Sequence, residues 1–290
     1  MKRIVLGFML TFISFLTFAQ VNDIEKEVDH LIKGKKAVIG IVLYDYKNQK
    51  IFKINDSKHF PMQSVFKFPI VLKVLNEVDK GNMNLTDSIL IKNKDLLSDT
   101  WSPIRDKYPN GNVRMALSDI IRFTISQSDN NGCDILLHLV GGTSVVNSYL
   151  DSLGLMKMKI EKTEAEQHKT PDAQYRNWTT PICAIQLLQL FYDRKILKQT
   201  TYNFLWQIMT ETSTGSIKAE IPEKVTVAHK TGSAFFPGHS VTNDIGIMLL
   251  PNNHTILYAI FIKDSDENKE VNYKVISDIG RIIYENVAVE

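Results

Sequence analysis

The chain has 290 residues, of which 44% are hydrophobic and 23% are charged, so it can bury a sizeable core in one or two domains. Its formal net charge is +2, and it falls to zero if the basic residues 2–3 are removed with the N-terminal segment. A near-neutral chain with mixed charges lacks the electrostatic pattern of a protein that binds nucleic acid or an anionic membrane.

The N-terminal segment has the pattern of a secretory signal peptide. Basic residues 2–3 are followed by apolar residues 4–18 and by the small residue Ala19, ahead of an expected cleavage at Gln20. The apolar stretch is shorter than the ~20 residues that a transmembrane helix needs. We therefore expect a signal peptide over residues 1–19, a periplasmic location and no membrane contact after cleavage.

Strand patterns lie at both ends of the mature chain, and helical patterns lie between them. The predicted strands span residues 37–45, 50–55, 225–229, 244–250 and 255–262. The predicted helices span residues 22–33, 65–78, 117–127, 134–140, 143–150, 181–192, 201–209 and 268–284. This order favours a discontinuous α/β subdomain, residues 20–62 and 213–290, with an all-helical subdomain over residues 63–212.

Ser64 precedes Lys67 by one helical turn, just after Pro61 and at the head of an apolar run. A serine hydroxyl needs a neighbouring base to act as a nucleophile, and residues i and i+3 share a helix face. The start of a helix also offers backbone N–H groups and a positive dipole end. A serine three residues before a lysine occurs by chance about once in a chain this long, so an exposed turn of an amphipathic helix remains an alternative.

Two further motifs follow along the chain. Ser128-Asp129-Asn130 lies between two predicted helices, and Lys230-Thr231-Gly232 ends a predicted strand. Each motif alone is ordinary, as a helix cap or as a close approach of the backbone. The order S-x-x-K, S-D-N and K-T-G, at intervals of roughly sixty and a hundred residues, is the set found in class A β-lactamases and penicillin-binding proteins.

With these motifs the mature sequence resembles the class A serine β-lactamases over essentially its whole length. Glu164 lies in a polar, irregular stretch where that family carries a glutamate that activates water, and His168 takes the place of the family's usual asparagine. The Glu-x-x-x-His form occurs in a branch associated with cephalosporin hydrolysis. Trp101-Ser102-Pro103 matches the aromatic-Ser-Pro loop that forms a wall of the substrate pocket. The resemblance implies an α/β fold with a five-stranded antiparallel sheet flanked by helices.

The resemblance also implies the site residues. The implied catalytic residues are Ser64, Lys67, Ser128 and Glu164. The implied substrate-binding residues are Asn130, Lys230, Thr231, Gly232, Ser233, Trp101 and His168. The resemblance implies that Ser64 attacks the lactam carbonyl and that Lys67, or Glu164 through water, accepts its proton.

Further roles follow from the same resemblance. Ser128 would pass a proton to the lactam nitrogen, and Asn130 would bind the acylamide side chain. The backbone N–H groups of Ser64 and Ser233 would form the oxyanion hole. Lys230, Thr231 and Ser233 would bind the carboxylate of the substrate. Glu164 would act as the general base of deacylation, with His168 orienting the water.

Several alternatives remain open at this stage. Glu166 competes with Glu164, although the register to His168 favours Glu164. A D,D-peptidase or a β-lactam sensor would share the three motifs but lack the deacylating glutamate. Residues 240–247 contain no arginine that could supplement carboxylate binding, and Lys218 has only a weak claim to that role.

The cysteines and histidines point away from metal chemistry. Cys133 and Cys183 are the only cysteines. A disulfide between them is possible in an exported chain. The simpler interpretation is that both are buried, unpaired thiols. The seven histidines show no metal-ligand spacing. We expect no metal, no cofactor, and a monomer whose partner is a small β-lactam substrate.

Overall fold

The computed structural model describes residues 24–167, 169–251 and 253–288. The predicted signal peptide and His168 lie outside the described residues. Within them, the strands are β1 (Val38–Asp45), β2 (Lys50–Ile54), β3 (Phe60–Pro61), β4 (Ser88–Ile91), β5 (Val113–Ala116), β6 (Met158–Lys159), β7 (Trp178–Thr179), β8 (Thr226–Ala234), β9 (Ser240–Leu249) and β10 (Thr255–Ser265). The helices there are α1 (24–32), α2 (Lys67–Asp79), α3 (Pro103–Lys107), α4 (Leu117–Ser126), α5 (Asn130–Leu139), α6 (Thr143–Ser152), α7 (Glu164–Gln167), α8 (Pro181–Tyr192), α9 (Gln199–Thr210) and α10 (Lys269–Val287).

A five-stranded antiparallel sheet, in the order β2-β1-β10-β9-β8, organises the molecule. Successive side chains of a strand point to opposite faces, and both faces of this sheet are buried. Along β10, Tyr258, Ile260 and Ile262 join a hydrophobic cluster with α1 and α10. The alternate residues Leu257 and Phe261 join a second cluster with the helices of the middle segment. The predicted five-stranded α/β fold is confirmed.

The middle segment is mainly helical, and it also contains short strands that the sequence analysis did not predict. Within the segment β4 pairs with β5, and β7 pairs with β6 and also with β3, which precedes the segment. These strands are two to four residues long, so they carry too little alternation to be recognised. The division into residues 20–62 with 213–290 and residues 63–212 stays a prediction.

Three local predictions about the motifs need correction. Ser64 lies in a 3₁₀ turn, Gln63–Phe66, and the α-helix begins only at Lys67. α5 begins at Asn130 instead of Asp134, because Asp129 caps it. Lys230-Thr231-Gly232 does not end its strand: β8 continues to Ala234 because β9 pairs with it along that length.

Cys133 on α5 and Cys183 on α8 are both buried and unpaired, so the alternative of a disulfide between them is wrong. Of the helices in the described ranges, none combines the length and the apolar character required to cross a bilayer.

Candidate active site

The turn that carries Ser64 is held in an uncommon backbone conformation by neighbouring side chains. Gln63 has a φ of +47°, a left-handed value that costs free energy for a residue with a side chain. The Asn243 amide of β9 donates to the carbonyls of Pro61 (2.8 Å) and Met62 (3.0 Å). The Gln63 amide donates to Gln174 Oε1 at 2.6 Å. These bonds hold the turn between the sheet and the 171–176 segment, so Ser64 is presented on a rigid support.

The ammonium group of Lys67 lies at the centre of the site and is fully buried. Its Nζ lies 2.9 Å from Ser64 Oγ, 2.8 Å from Glu164 Oε1 and 2.5 Å from Asn130 Oδ1. It also lies 2.7 Å from the carbonyl and 3.4 Å from the hydroxyl of Ser128. An ammonium has three N–H donors, so these five contacts cannot all be full hydrogen bonds at once. Lys67 is therefore placed to exchange protons with groups on either side of it.

The Ser128-Asp129-Asn130 turn is held by its central carboxylate. Asp129 is fully buried and accepts hydrogen bonds from the backbone N–H groups of Gly132 (2.7 Å) and Ile104 (2.6 Å). The Ser102 hydroxyl donates to the same carboxylate at 3.0 Å, and burial raises the pKa of Asp129. The carboxylate thus joins the Trp101-Ser102-Pro103 loop to the turn. Ser128 itself has a φ of +59°, which directs its hydroxyl toward the two lysines.

Trp101 borders the mouth of the site and is 59% exposed. Its indole N–H donates to the carbonyl of Gln127 at 2.9 Å, and its own carbonyl accepts from the backbone N–H of Asn130 at 3.1 Å. The Asn130 amide donates to Thr100 Oγ1 at 2.6 Å. These bonds fix the indole beside the opening, where a ligand can contact its exposed surface.

β8 contributes a buried cation and a close backbone approach. Lys230 is fully buried and donates to Ser128 Oγ at 2.9 Å. Burial, and then the positive charge of Lys67, hold the pKa of Lys230 well below its ordinary value. A Cβ on Gly232 would lie 2.5 Å from the Met62 carbonyl oxygen and 2.8 Å from the Ser64 nitrogen. Only a glycine lets β8 approach the Ser64 turn this closely. The close approach brings the Ser64 N–H beside Ser233, the next residue of β8.

The loop that carries Glu164 is secured by a second carboxylate. Asp134 Oδ1 and Oδ2 accept from the backbone N–H groups of Glu164 (2.7 Å) and Ala165 (3.0 Å), and burial raises the pKa of Asp134 to about 6. Glu164 is 1% exposed, and its Oε1 lies 3.4 Å from Ser64 Oγ. The Gln167 amide donates to Glu164 Oε2 at 2.5 Å. The side chain of Glu166 is 42% exposed and pairs with a surface lysine.

One cavity of about 560 Å³ connects these groups. Its volume suits a small organic ligand. The predicted site residues that line it are Ser64, Trp101, Ser128, Asn130, Thr231, Gly232 and Ser233. Lys67, Glu164 and Lys230 lie directly behind this lining, in contact with its hydroxyl groups. Of the predicted site residues, His168 alone lies outside the described part of the chain.

Several residues that support the site were not predicted from the sequence. Asp134 and Gln167 orient the Glu164 loop from outside the cavity lining, whereas Asn243 lines the cavity and holds the Ser64 turn. Thr214 and Thr231 are joined through their hydroxyls at 2.6 Å. The spacing of Gln167 from Glu164, three residues, was the one local signal available. Lys218 donates to the Thr212 carbonyl and is not among the residues that line the cavity. In the described ranges no cluster of three or more histidine, cysteine or carboxylate side chains is arranged to bind a metal.

Comparisons with known proteins agree with this geometry. A family model described as "Beta-lactamase enzyme family" matches residues 23–287. β-Lactamase VEB-1 of Pseudomonas aeruginosa is 40% identical over 290 residues, which is 98% of this chain and 97% of VEB-1. Extended-spectrum β-lactamase PER-1 of the same species is 34% identical over 281 residues, covering 96% of this chain and 91% of PER-1.

Solved structures are similar over the same region. The crystal structure of the TLA-1 extended-spectrum β-lactamase has a TM-score of 0.89 and 40% identity, and the match covers 92% of this chain and 99% of that one. A β-lactamase from Chitinophaga pinensis has a TM-score of 0.88 and 38% identity, with 91% and 99% covered.

Proposed function

The chain belongs to the β-lactamase enzyme family as a class A serine β-lactamase that hydrolyses β-lactams and confers resistance to them, and we propose that it acts through an acyl-enzyme on Ser64. The observation that carries the proposed mechanism is the buried contact of Ser64 with both Lys67 and Glu164. Glu164 can receive the serine proton, and Lys67 can receive it once its ammonium has passed a proton to Glu164, so acylation has a base on either side of the nucleophile.

In the acylation step, a bond forms between Ser64 Oγ and the lactam carbonyl carbon, and the lactam C–N bond breaks. The serine proton passes to Lys67, or to Glu164 through a water molecule. The backbone N–H groups of Ser64 and Ser233 stabilise the oxyanion, an effect worth about 3–4 kcal/mol per donor. The leaving nitrogen takes its proton from Ser128, whose hydroxyl lies between the lysine Nζ atoms of Lys67 and Lys230. Lys67 returns a proton to Ser128, and where Glu164 accepted the serine proton it passes that proton on to Lys67 and is again a carboxylate.

In the deacylation step, Glu164 takes a proton from a water molecule that attacks the ester carbonyl. The ester C–O bond then breaks, and Ser64 takes the proton from Glu164, which returns to its carboxylate form. The buried position of Glu164, with one oxygen toward Ser64 and the other held by Gln167, supports this role. The exposed position of Glu166 argues against it for that residue. We propose that His168 orients the water.

The substrate is proposed to be held at three points. Asn130 binds the acylamide group, Lys230 with Thr231 and Ser233 binds the carboxylate, and Trp101 contacts the ligand at the mouth of the cavity. We propose that cephalosporins and penicillins are both substrates. The names of the relatives PER-1 and TLA-1, which are extended-spectrum enzymes, support a broad cephalosporin range.

Replacement of Glu164 tests the proposed mechanism. E164Q incubated with a cephalosporin should accumulate a covalent adduct on Ser64, visible as a mass increase, because acylation can still use Lys67 while deacylation loses its base. E166Q is the matched control and should turn over like the wild type. Trapping of the adduct by E166Q instead would contradict the assignment. A single stoichiometric burst from the wild-type protein would favour a D,D-peptidase or a sensor.

Export and assembly are separate proposals. We propose that residues 1–19 are cleaved and that the mature enzyme is periplasmic, which the basic start and apolar run of that segment support. A mature N-terminus other than Gln20, or retention in the cytoplasm, would contradict this. We also propose a monomer, since the groups proposed to act on the substrate come from one chain. Light scattering of the purified protein tests the mass.

A further inference from the structure

The cavity extends beyond the catalytic groups to the start of α10. There it is lined by Phe235, Lys269, Tyr273 and Ile276, which the proposed mechanism does not use. Phe235 is 42% exposed although it is a large apolar side chain. An exposed aromatic side chain at the edge of a cavity is a common feature of ligand-binding surfaces. This end of the cavity therefore has the character of a binding surface.

Two aromatic rings and one cation form a compact group at this end. The rings of Phe235 and Tyr273 meet edge to face, with centroids 6.2 Å apart. Lys269 Nζ lies 5.6 Å from the Phe235 centroid and 5.2 Å from the Tyr273 centroid. These cation–π contacts hold the ammonium at the rim of the cavity. We call Phe235, Lys269 and Tyr273 the rim group.

Apart from these ring contacts, the charge of Lys269 has no anionic partner among the described residues. Lysine in the first turn of a helix faces the positive end of the helix dipole, which is unfavourable. Across residues 24–167, 169–251 and 253–288, no carboxylate forms an ion pair with Lys269. Among the described residues that line the cavity, it is also the only lysine or arginine. Lys269 is therefore the one exposed cationic side chain of the described cavity lining with which an anionic group of a bound ligand can pair.

A bonded path joins the rim group to the proposed carboxylate site. The hydroxyls of Thr231 and Thr214 lie 2.6 Å apart, and the Ser216 hydroxyl donates to the Tyr273 carbonyl at 2.7 Å. Residues 214–216 therefore form the cavity wall between Thr231 and the rim group. The rim group thus lies on the carboxylate side of the bound lactam. In a cephalosporin, the ring carbon next to the one that bears the carboxylate carries the variable C3 substituent.

We propose that the rim group is a specificity-determining subsite for an anionic aromatic C3 substituent of a cephalosporin. The ring of the substituent contacts Phe235 and Tyr273, and its acidic group pairs with Lys269. This assignment rests on the proposed function, since it takes the lactam carboxylate to bind at Lys230 and Thr231. The subsite contributes binding and no proton transfer, so it acts on KM and leaves kcat unchanged.

The test compares two cephalosporins with the same acylamide group. One carries a carboxylated heteroaromatic ring at C3 and the other a methyl group. For K269M, the KM of the anionic substrate should rise about two- to fivefold, as for loss of an exposed ion pair, while its kcat stays unchanged. The methyl substrate should show no change. K269R should restore the wild-type KM, and 1 M salt should remove the difference between wild type and K269M because the screening length falls to about 3 Å.

K224M is the matched control, because Lys224 is an exposed lysine outside the cavity lining and its loss changes the net charge equally. An equal rise in KM for both substrates with K269M, or the same shift with K224M, would overturn the proposal. An unchanged KM of the anionic substrate in K269M would overturn it as well. Failure of the wild-type enzyme to turn over either cephalosporin would instead contradict the proposed function, so the two failures are distinguishable.

Discussion

Asp134 makes the stability of the loop that carries Glu164 depend on pH. Its carboxylate accepts two backbone N–H groups, those of Glu164 and Ala165, and its burial raises its pKa from 3.8 to about 6. Substitution by asparagine, D134N, keeps the shape of the side chain and removes the titrating group. We expect the variant to lose a defined part of the pH dependence of folding stability.

The sign and size follow from the shifted pKa of Asp134. Because the folded-state pKa lies above the unfolded value, the folded state binds the proton more tightly. This contribution to stability is full below the unfolded pKa and is lost as the pH rises through about 6. A pKa difference of about two units corresponds to about 3 kcal/mol, of which about 2 kcal/mol falls between pH 4 and pH 7.5. The asparagine oxygen can accept a hydrogen bond from only one of the two N–H groups. This loss lowers the free energy of unfolding by about 1.5–3 kcal/mol over the whole pH range.

Urea unfolding followed by tryptophan fluorescence measures this difference. The free energy of unfolding of D134N relative to wild type should increase by about 2 kcal/mol from pH 4 to pH 7.5, whatever the constant cost of the lost hydrogen bond. D172N removes an exposed carboxylate and is the control for net charge. Parallel pH profiles of wild type and D134N would refute the reasoning, because the Asp134 carboxyl would then have the same pKa in both states.

Three further predictions concern the geometry of the site. G232A should lower kcat about 100-fold or more, because the added Cβ would displace the Ser64 turn and with it the oxyanion hole. An unchanged kcat, in a variant with native circular dichroism, would show that the turn can move without loss of activity. In wild type, KM should rise with increasing pH as Lys230 loses its proton at its lowered pKa. K230R keeps its charge and should show a flat profile, and identical profiles would assign the titration to another group. D129A should lower the free energy of unfolding by roughly 3–5 kcal/mol, since the two buried N–H groups of Ile104 and Gly132 lose their acceptor. A loss under about 1 kcal/mol in urea unfolding would contradict this role of the Asp129 carboxylate.

The elements with strong local periodicity were predictable from the sequence, and those that depend on a distant partner were not. α8, Pro181–Tyr192, was predicted with its observed bounds because Thr180 caps it and Pro181 opens it. The strand with Lys230 was predicted to end at the motif, yet pairing with β9 extends it to Ala234. β6 and β7 are two residues long. β7 pairs with β3, which lies about a hundred residues earlier, and β6 pairs only with β7, so nothing local marks them.

The residue types of the site and their order are evident from the chain alone, because the chemistry of acyl transfer restricts them to few choices. The sequence also suggested that Glu164 outranks Glu166, but only through the register to His168. Tertiary structure decided which acid is buried: Asp134 anchors the N–H of Glu164, and the side chain two residues later remains in solvent. It also decided the five oxygen contacts around Lys67, since the groups that make them lie up to 100 residues apart in the chain. Burial and separation in space are properties of the packed chain, and no local pattern encodes them.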